Sequence, residues 1–103
     1  MGGYSIPDLI ELLRTERGER VRLDAGFPPS LIVNGEWRRI EGPAVADASL
    51  EEILRTVANT TQMQAFGETG CVEVVVPFDG SRFLVRGLRA FGLCRLELER
   101  VPV

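Results

Sequence analysis

From Cys71 to Arg100 the chain carries the pattern that most restricts its fold. Cys71 to Phe78 is period-two or continuously apolar, Asp79-Gly80 supplies a turn, and Phe83 to Leu88 resumes the strand pattern. A second turn around Ala90 to Gly92 leads into Leu93 to Arg100. In that last stretch Cys94, Leu96 and Leu98 alternate with Arg95, Glu97 and Glu99, so one face of the strand is apolar and the other charged. An antiparallel meander with one apolar face must be covered by something else in the chain. The upstream residues have to supply that cover.

They supply it as helices. Met1 to Tyr4 reads as a loose lead-in. Ser5 then fits a helix N-cap, with Pro7 in the first turn and Asp8 placed to answer the free amides. Ile6, Leu9, Ile10 and Leu13 form one stripe, and Gly18 fits the left-handed residue that ends the helix. Val21 and Leu23 alternate with Arg20, Arg22 and Asp24 as a short strand, broken by Ala25 to Pro29. Leu31-Ile32-Val33 and Trp37 to Ile40 flank Asn34-Gly35, which suits a type I′ hairpin turn and sets Ile32 opposite Trp37. After a connector from Gly42 to Ala48, Ser49-Leu50-Glu51-Glu52 reads as a capping box for a helix with Leu50, Ile53, Leu54 and Val57 on one face. Thr61-Gln62-Met63-Gln64 reads as a second one, opening a shorter helix with Met63 and Phe66 that stops near Gly67 or Gly70. The order is helix, strand, hairpin, two helices, three-strand meander. It predicts an α+β fold, an antiparallel sheet covered by helices on one face, in a single domain over 1–103.

Composition excludes several kinds of chemistry. There is no histidine, which removes the commonest general base and the usual metal ligand. All 12 basic residues are arginine, so no lysine is present for a Schiff base or a phosphate-binding loop. Cys71 and Cys94 cannot by themselves make a zinc site and read as buried free thiols in apolar strands. Adjacent Glu51 and Glu52 are accounted for by a helix start rather than a catalytic pair. The expectation is no enzyme, no metal and no cofactor. No long apolar segment or signal peptide is present, which points to a cytoplasmic protein without direct membrane insertion.

The polar face of the strands is the first candidate for function. Arg20, Arg22 and Asp24 lie on one strand, Arg82 and Arg86 on another, and Arg95, Glu97 and Glu99 on a third. Such a face is either a solvated charge lattice or a subunit-docking surface, and arginine's planar fork favours interfaces. Leu84 and Leu88 share the face with Arg82 and Arg86. The interleaved Arg82, Phe83, Arg86, Arg89 and Phe91 do not make a nucleic-acid surface, because alternation turns Phe83 away from the arginines and the net charge is −3. Gly26-Phe27-Pro28-Pro29 is either a binding loop with Phe27 exposed or a lid over the core edge.

The order of these motifs resembles the N-terminal domain of PilT-type pilus retraction ATPases. The likeness runs through Glu19-Arg20-Val21-Arg22-Leu23-Asp24-Ala25-Gly26-Phe27-Pro28-Pro29, Asn34-Gly35-Glu36, Trp37 to Ile40, the helices at Leu50 to Ala58 and Thr61 to Phe66, Ser81-Arg82-Phe83-Leu84-Val85 and Glu99-Arg100-Val101-Pro102. It covers nearly the whole chain and no ATPase domain. The resemblance implies a PAS-like domain that docks on the ATPase core of a neighbouring subunit. Glu19, Arg20 and Arg22 replace the family's Ser-Asp and His, Leu84 an arginine, and Glu99 another. Those positions serve the neighbouring nucleotide or the ring interface, so their loss argues against conventional ATP sensing.

The resulting expectation is a non-catalytic interaction or regulatory domain. It acts as an adaptor toward a pilus or type II secretion ATPase, or as a self-assembling homo-oligomer. Arg22, Arg82, Leu84 and Arg86 are its sheet-face contacts, and Phe27 and Pro28 its loop contacts. Charge reversal at Arg86 is expected to weaken the complex without unfolding the domain. The alternative is a PAS-type small-molecule sensor, for which Val74, Val76, Phe83, Val85, Leu96 and Leu98 are already bulky enough to fill the ligand space.

Overall fold

The computed structural model describes residues 4–102. Three helices, α1 (Ile6–Glu16), α2 (Asp47–Arg55) and α3 (Thr60–Thr69), cover one face of a six-stranded antiparallel sheet. The strands are β1 (Arg20–Asp24), β2 (Ser30–Val33), β3 (Glu36–Arg39), β4 (Cys71–Phe78), β5 (Ser81–Ala90) and β6 (Leu93–Arg100), in the spatial order β3-β2-β1-β6-β5-β4. The α+β fold read from the sequence is the one observed. Its one non-local step is β1 against β6, with Val21 opposite Leu98 and Leu23 opposite Leu96. That pairing fuses the N-terminal hairpin and the C-terminal meander into one sheet.

Alternation fixes which side each residue faces. Val21, Leu23, Leu31, Val72, Val74, Phe83, Val85, Cys94, Leu96 and Leu98 point inward and are buried. Leu9 and Ile10 of α1, Leu50 and Leu54 of α2, and Phe66 of α3 meet them. Among the inner residues expected to fill a ligand space, Val74, Phe83, Val85, Leu96 and Leu98 are buried and Val76 is partly buried against them. All three tight turns are two-residue loops with positive φ at both central positions: Asn34-Gly35, Asp79-Gly80 and Phe91-Gly92. Ile32 stands opposite Trp37, as the first of these requires.

The helix boundaries correct five expectations. Ser5 and Asp8 form the predicted capping box, but α1 ends on Arg17 at φ 55°, one residue before Gly18. Gly18 is there for space: a Cβ would lie 2.7 Å from Leu31 Cδ1. α2 starts at Asp47, with Ala46 as an N-cap lacking a side-chain bond, so Ser49 is not the cap. The preceding Val45 is tied to the β1–β2 loop, donating to the Phe27 carbonyl and accepting from the Gly26 amide, which turns the chain into the helix early. Asp47 instead accepts from the backbone amide of Cys94 at 2.8 Å, pinning α2 to β6. α3 is capped reciprocally by Asn59 and Gln62 rather than from Thr61, is no shorter than α2, and ends at Gly70 in the left-handed region. Val57 lies in the turn beyond α2 rather than on it. Tyr4 packs partly buried against the core, while the rest of the expected lead-in lies outside the described residues.

The two thiols also separate. Cys94 is buried, and burial pushes its pKa above the ordinary value; Arg89 opposes that and Asp47 adds to it. Cys71 is exposed, contrary to expectation, because Val72 and Val74 take the inward positions of β4 and leave Cys71 on the outer side. Iodoacetamide is therefore expected to add one carbamidomethyl group to the native protein, at Cys71, and a second only after denaturation. Equal labelling rates by mass spectrometry are the contrary result.

Candidate interaction surfaces

The outer face of the sheet has no helix over it among the described residues, and strand register builds it in rows. One row runs Val75, Leu84, Glu99, Arg20, Ile32, Trp37; the next runs Glu73, Arg86, Glu97, Arg22, Ser30, Arg39. Opposite charges meet as the alternation requires. Arg20 lies 3.5 Å from Glu99, Arg22 Nε 3.1 Å from Asp24, and Arg95 Nε donates to Asp24 at 2.5 Å. Arg86 Nε donates to Glu73 Oε2 at 2.8 Å and Nη1 to Glu97 Oε1 at 3.4 Å. The Glu73 bond holds the Arg86 guanidinium above its ordinary pKa despite partial desolvation. Cross-strand pairs of this kind stabilise a sheet by about 0.2–1 kcal/mol each, the exposed ones least.

Arg22 is held differently from the rest. Its guanidinium stacks over Trp37, 4.3 Å from the ring centroid, and its Nε is shut off from solvent without an aligned acceptor. Cation–π stacking and the nearby Asp24 carboxylate fix it in place. Arg82 is exposed opposite Pro77, and among the described residues no carboxylate lies within ion-pair distance of it. Beside it, Leu84 and the 51% exposed Val75 form an apolar strip between Arg82 and the Arg86 pairs.

The structure thus brings Arg22, Arg82, Leu84 and Arg86 onto one face. It does not bring Phe27 and Pro28 there. Those two sit in the β1–β2 loop beyond Asp24, at the end of the sheet away from Arg82. Phe27 is 49% exposed beneath the Arg39 guanidinium at 5.0 Å, and Pro29, not Pro28, is the buried proline. The same end carries Phe91, fully exposed, and Leu93. Sequence reasoning marked a turn there but gave Phe91 no place in a site; its signal was a phenylalanine where the other two turns carry asparagine and aspartate. Among the described residues no helix is long and apolar enough to cross a membrane, and no cluster of His, Cys, Asp and Glu is suited to a metal ion.

No protein-family profile matches this sequence, and no curated protein does. Solved structures do match in fold. The pilus retraction motor PilT with bound ADP gives a TM-score of 0.85 at 19% identity, over 96% of this chain and 29% of that one. The ATPase DotB of Legionella pneumophila gives 0.81 at 12% identity, over 100% of this chain and 31% of that one. DotB of Yersinia pseudotuberculosis gives 0.65 at 12% identity, over 92% and 29%. The chain therefore spans about a third or less of those ATPase chains, and the likeness is to their N-terminal part. At these identities it establishes the fold.

Proposed function

We propose that this domain is a non-catalytic protein-interaction module that docks through the outer face of its sheet. The observation that carries the reading is the uncovered strip of Val75 and Leu84 beside the exposed Arg82, which has no ion-pair partner among the described residues, set into a face whose other charges are largely paired within the chain. Paired charges hold the surface flat and specific, while the apolar strip and the spare guanidinium are left for a partner. The fold shared with PilT and DotB makes an ATPase of the pilus-retraction or secretion kind the favoured partner, with the domain acting as its adaptor in the cytoplasm.

Leu84→Asp and Arg82→Glu probe this face without touching the inner core. Each is expected to weaken binding to a purified PilT-type hexamer by about tenfold, read by interferometry, with thermal melting moved by only a few degrees. Unchanged affinity in both variants, or a wild-type domain that binds no such hexamer, overturns the assignment. Self-association in sedimentation that both variants abolish replaces the ATPase by a second copy.

A further inference from the structure

We propose a second docking site at the end of the sheet around Phe91, one that takes a partner segment presenting an apolar side chain beside carboxylates. Phe91 stands at the first central position of the β5–β6 turn with φ 54°, in the left-handed region, and its side chain is fully exposed. A bulky residue is an outlier there. The two other turns of the same kind place Asn34 and Asp79 at that position, residues whose short polar side chains tolerate it. The phenylalanine gains no burial inside the domain in exchange. Backbone strain of this kind is characteristic of functional surfaces, and here it holds an aromatic ring out toward solvent.

Its surroundings say what the ring meets. Leu93 and Phe27 are exposed at the same end, and with Leu88 they line an open groove of ≈ 680 Å³. Arg39 and Arg95 line it too. Arg95 is engaged by Asp24, whereas Arg39 stacks on Phe27 with no carboxylate in ion-pair reach among the described residues. The groove is thus aromatic with one spare guanidinium, on a chain whose formal net charge is −3. The charged side chains that line the groove are Arg39, Arg89 and Arg95 against the one carboxylate of Asp24, so a short segment seated in it meets a net positive lining. A second copy or an anionic bilayer must also approach the acidic remainder of the molecule. The fit is to a short acidic and apolar segment, anchored by aromatic contact as interface hot spots are.

This site rests on the reading of the domain as a protein-binding module, and the test separates the two. A random-peptide display library is selected on the immobilised domain, and a selected peptide is then titrated by fluorescence anisotropy against wild type, Phe91→Asn, Arg39→Gln and Arg82→Glu. Enriched peptides should combine large apolar residues with Asp or Glu. Phe91→Asn should weaken binding by about tenfold or more while raising the melting temperature by about 4–8 °C, because asparagine suits the left-handed position. Arg39→Gln should weaken binding severalfold and flatten its salt dependence, and Arg82→Glu should leave it unchanged. The rise in stability removes misfolding as a cause of lost binding. No enrichment, enrichment of basic peptides, or full affinity in Phe91→Asn overturns the proposal. So does a dimer, or binding to phosphatidylserine vesicles, that Phe91→Asn abolishes. Hexamer binding lost in Leu84→Asp with peptide binding unaffected by Phe91→Asn leaves the sheet face standing and removes this site alone.

Discussion

Phe83→Ala is expected to bring the domain close to unfolding at physiological temperature. Phe83 is the largest of the fully buried side chains and is 1% exposed. It sits on β5 between Val76 of β4 and Arg100 of β6, under the C-terminal end of α1. Truncation removes the ring's transfer energy and leaves a hole between a sheet and a helix that are both fixed elsewhere, so the site closes poorly. Such changes cost about 3–5 kcal/mol. Domains of this size have only about 5–15 kcal/mol in total. At about 4–8 °C per kcal/mol, the melting midpoint should fall by roughly 20 °C. Phe83→Leu keeps most of the volume and should cost less than about 1.5 kcal/mol. Urea titrations with equal slopes for the three proteins check that the native state alone is affected; a loss below about 1 kcal/mol in the alanine variant is the contrary result.

The element order and the sidedness of the sheet were legible in the sequence because they depend on local rules. Period-two alternation in β6 named its inward residues, and Asn34-Gly35 fixed both the turn and the Ile32–Trp37 register. What was not legible depends on contacts between distant segments. Gly18 reads as a helix terminator, yet its role is to let Leu31 approach, a contact between α1's end and β2 that no local pattern carries. The start of α2 is set by Val45 bonding to the β1–β2 loop, so a good capping sequence at Ser49 was overruled. Cys71 was read as buried for its apolarity, although it shares the outward parity of Glu73 and leaves the inward positions to Val72 and Val74. For the candidate surface, the shared face of Arg22, Leu84 and Arg86 followed from strand parity. Phe27's position at the far end did not, because it depends on which strands are neighbours. Phe91 was missed because a turn residue was taken as connection rather than display.

Charge reversal at Arg86 is expected to cost stability as well as binding, which separates it from Arg82 and Leu84. Arg86 bridges Glu73 and Glu97, and the Glu97 side chain is only 12% exposed. Glutamate in its place removes both bonds and leaves three carboxylates together, with Glu99 adding to the field. A loss of about 2–3 kcal/mol near neutral pH is expected, discounted for the exposure of Glu73. Arg86→Met, which removes the bridge without adding a charge, should cost about half as much. The pH dependence carries the distinguishing sign. Protonation relieves the repulsion among the clustered carboxylates of Arg86→Glu, so its deficit relative to wild type is largest at neutral pH and shrinks as pH falls into the ordinary carboxylate range. In the wild type the raised guanidinium pKa means that Arg86 itself keeps its charge through the neutral and acid range, so on the alkaline side its contribution is lost only in strong alkali. Melting curves of the three proteins across pH read the effect directly. A deficit that stays constant from neutral to acid pH would mean that the reversal acts through packing rather than charge. A deficit that shrinks would identify charge pairing in the Glu73–Arg86–Glu97 bridge as an element that holds the outer face in shape.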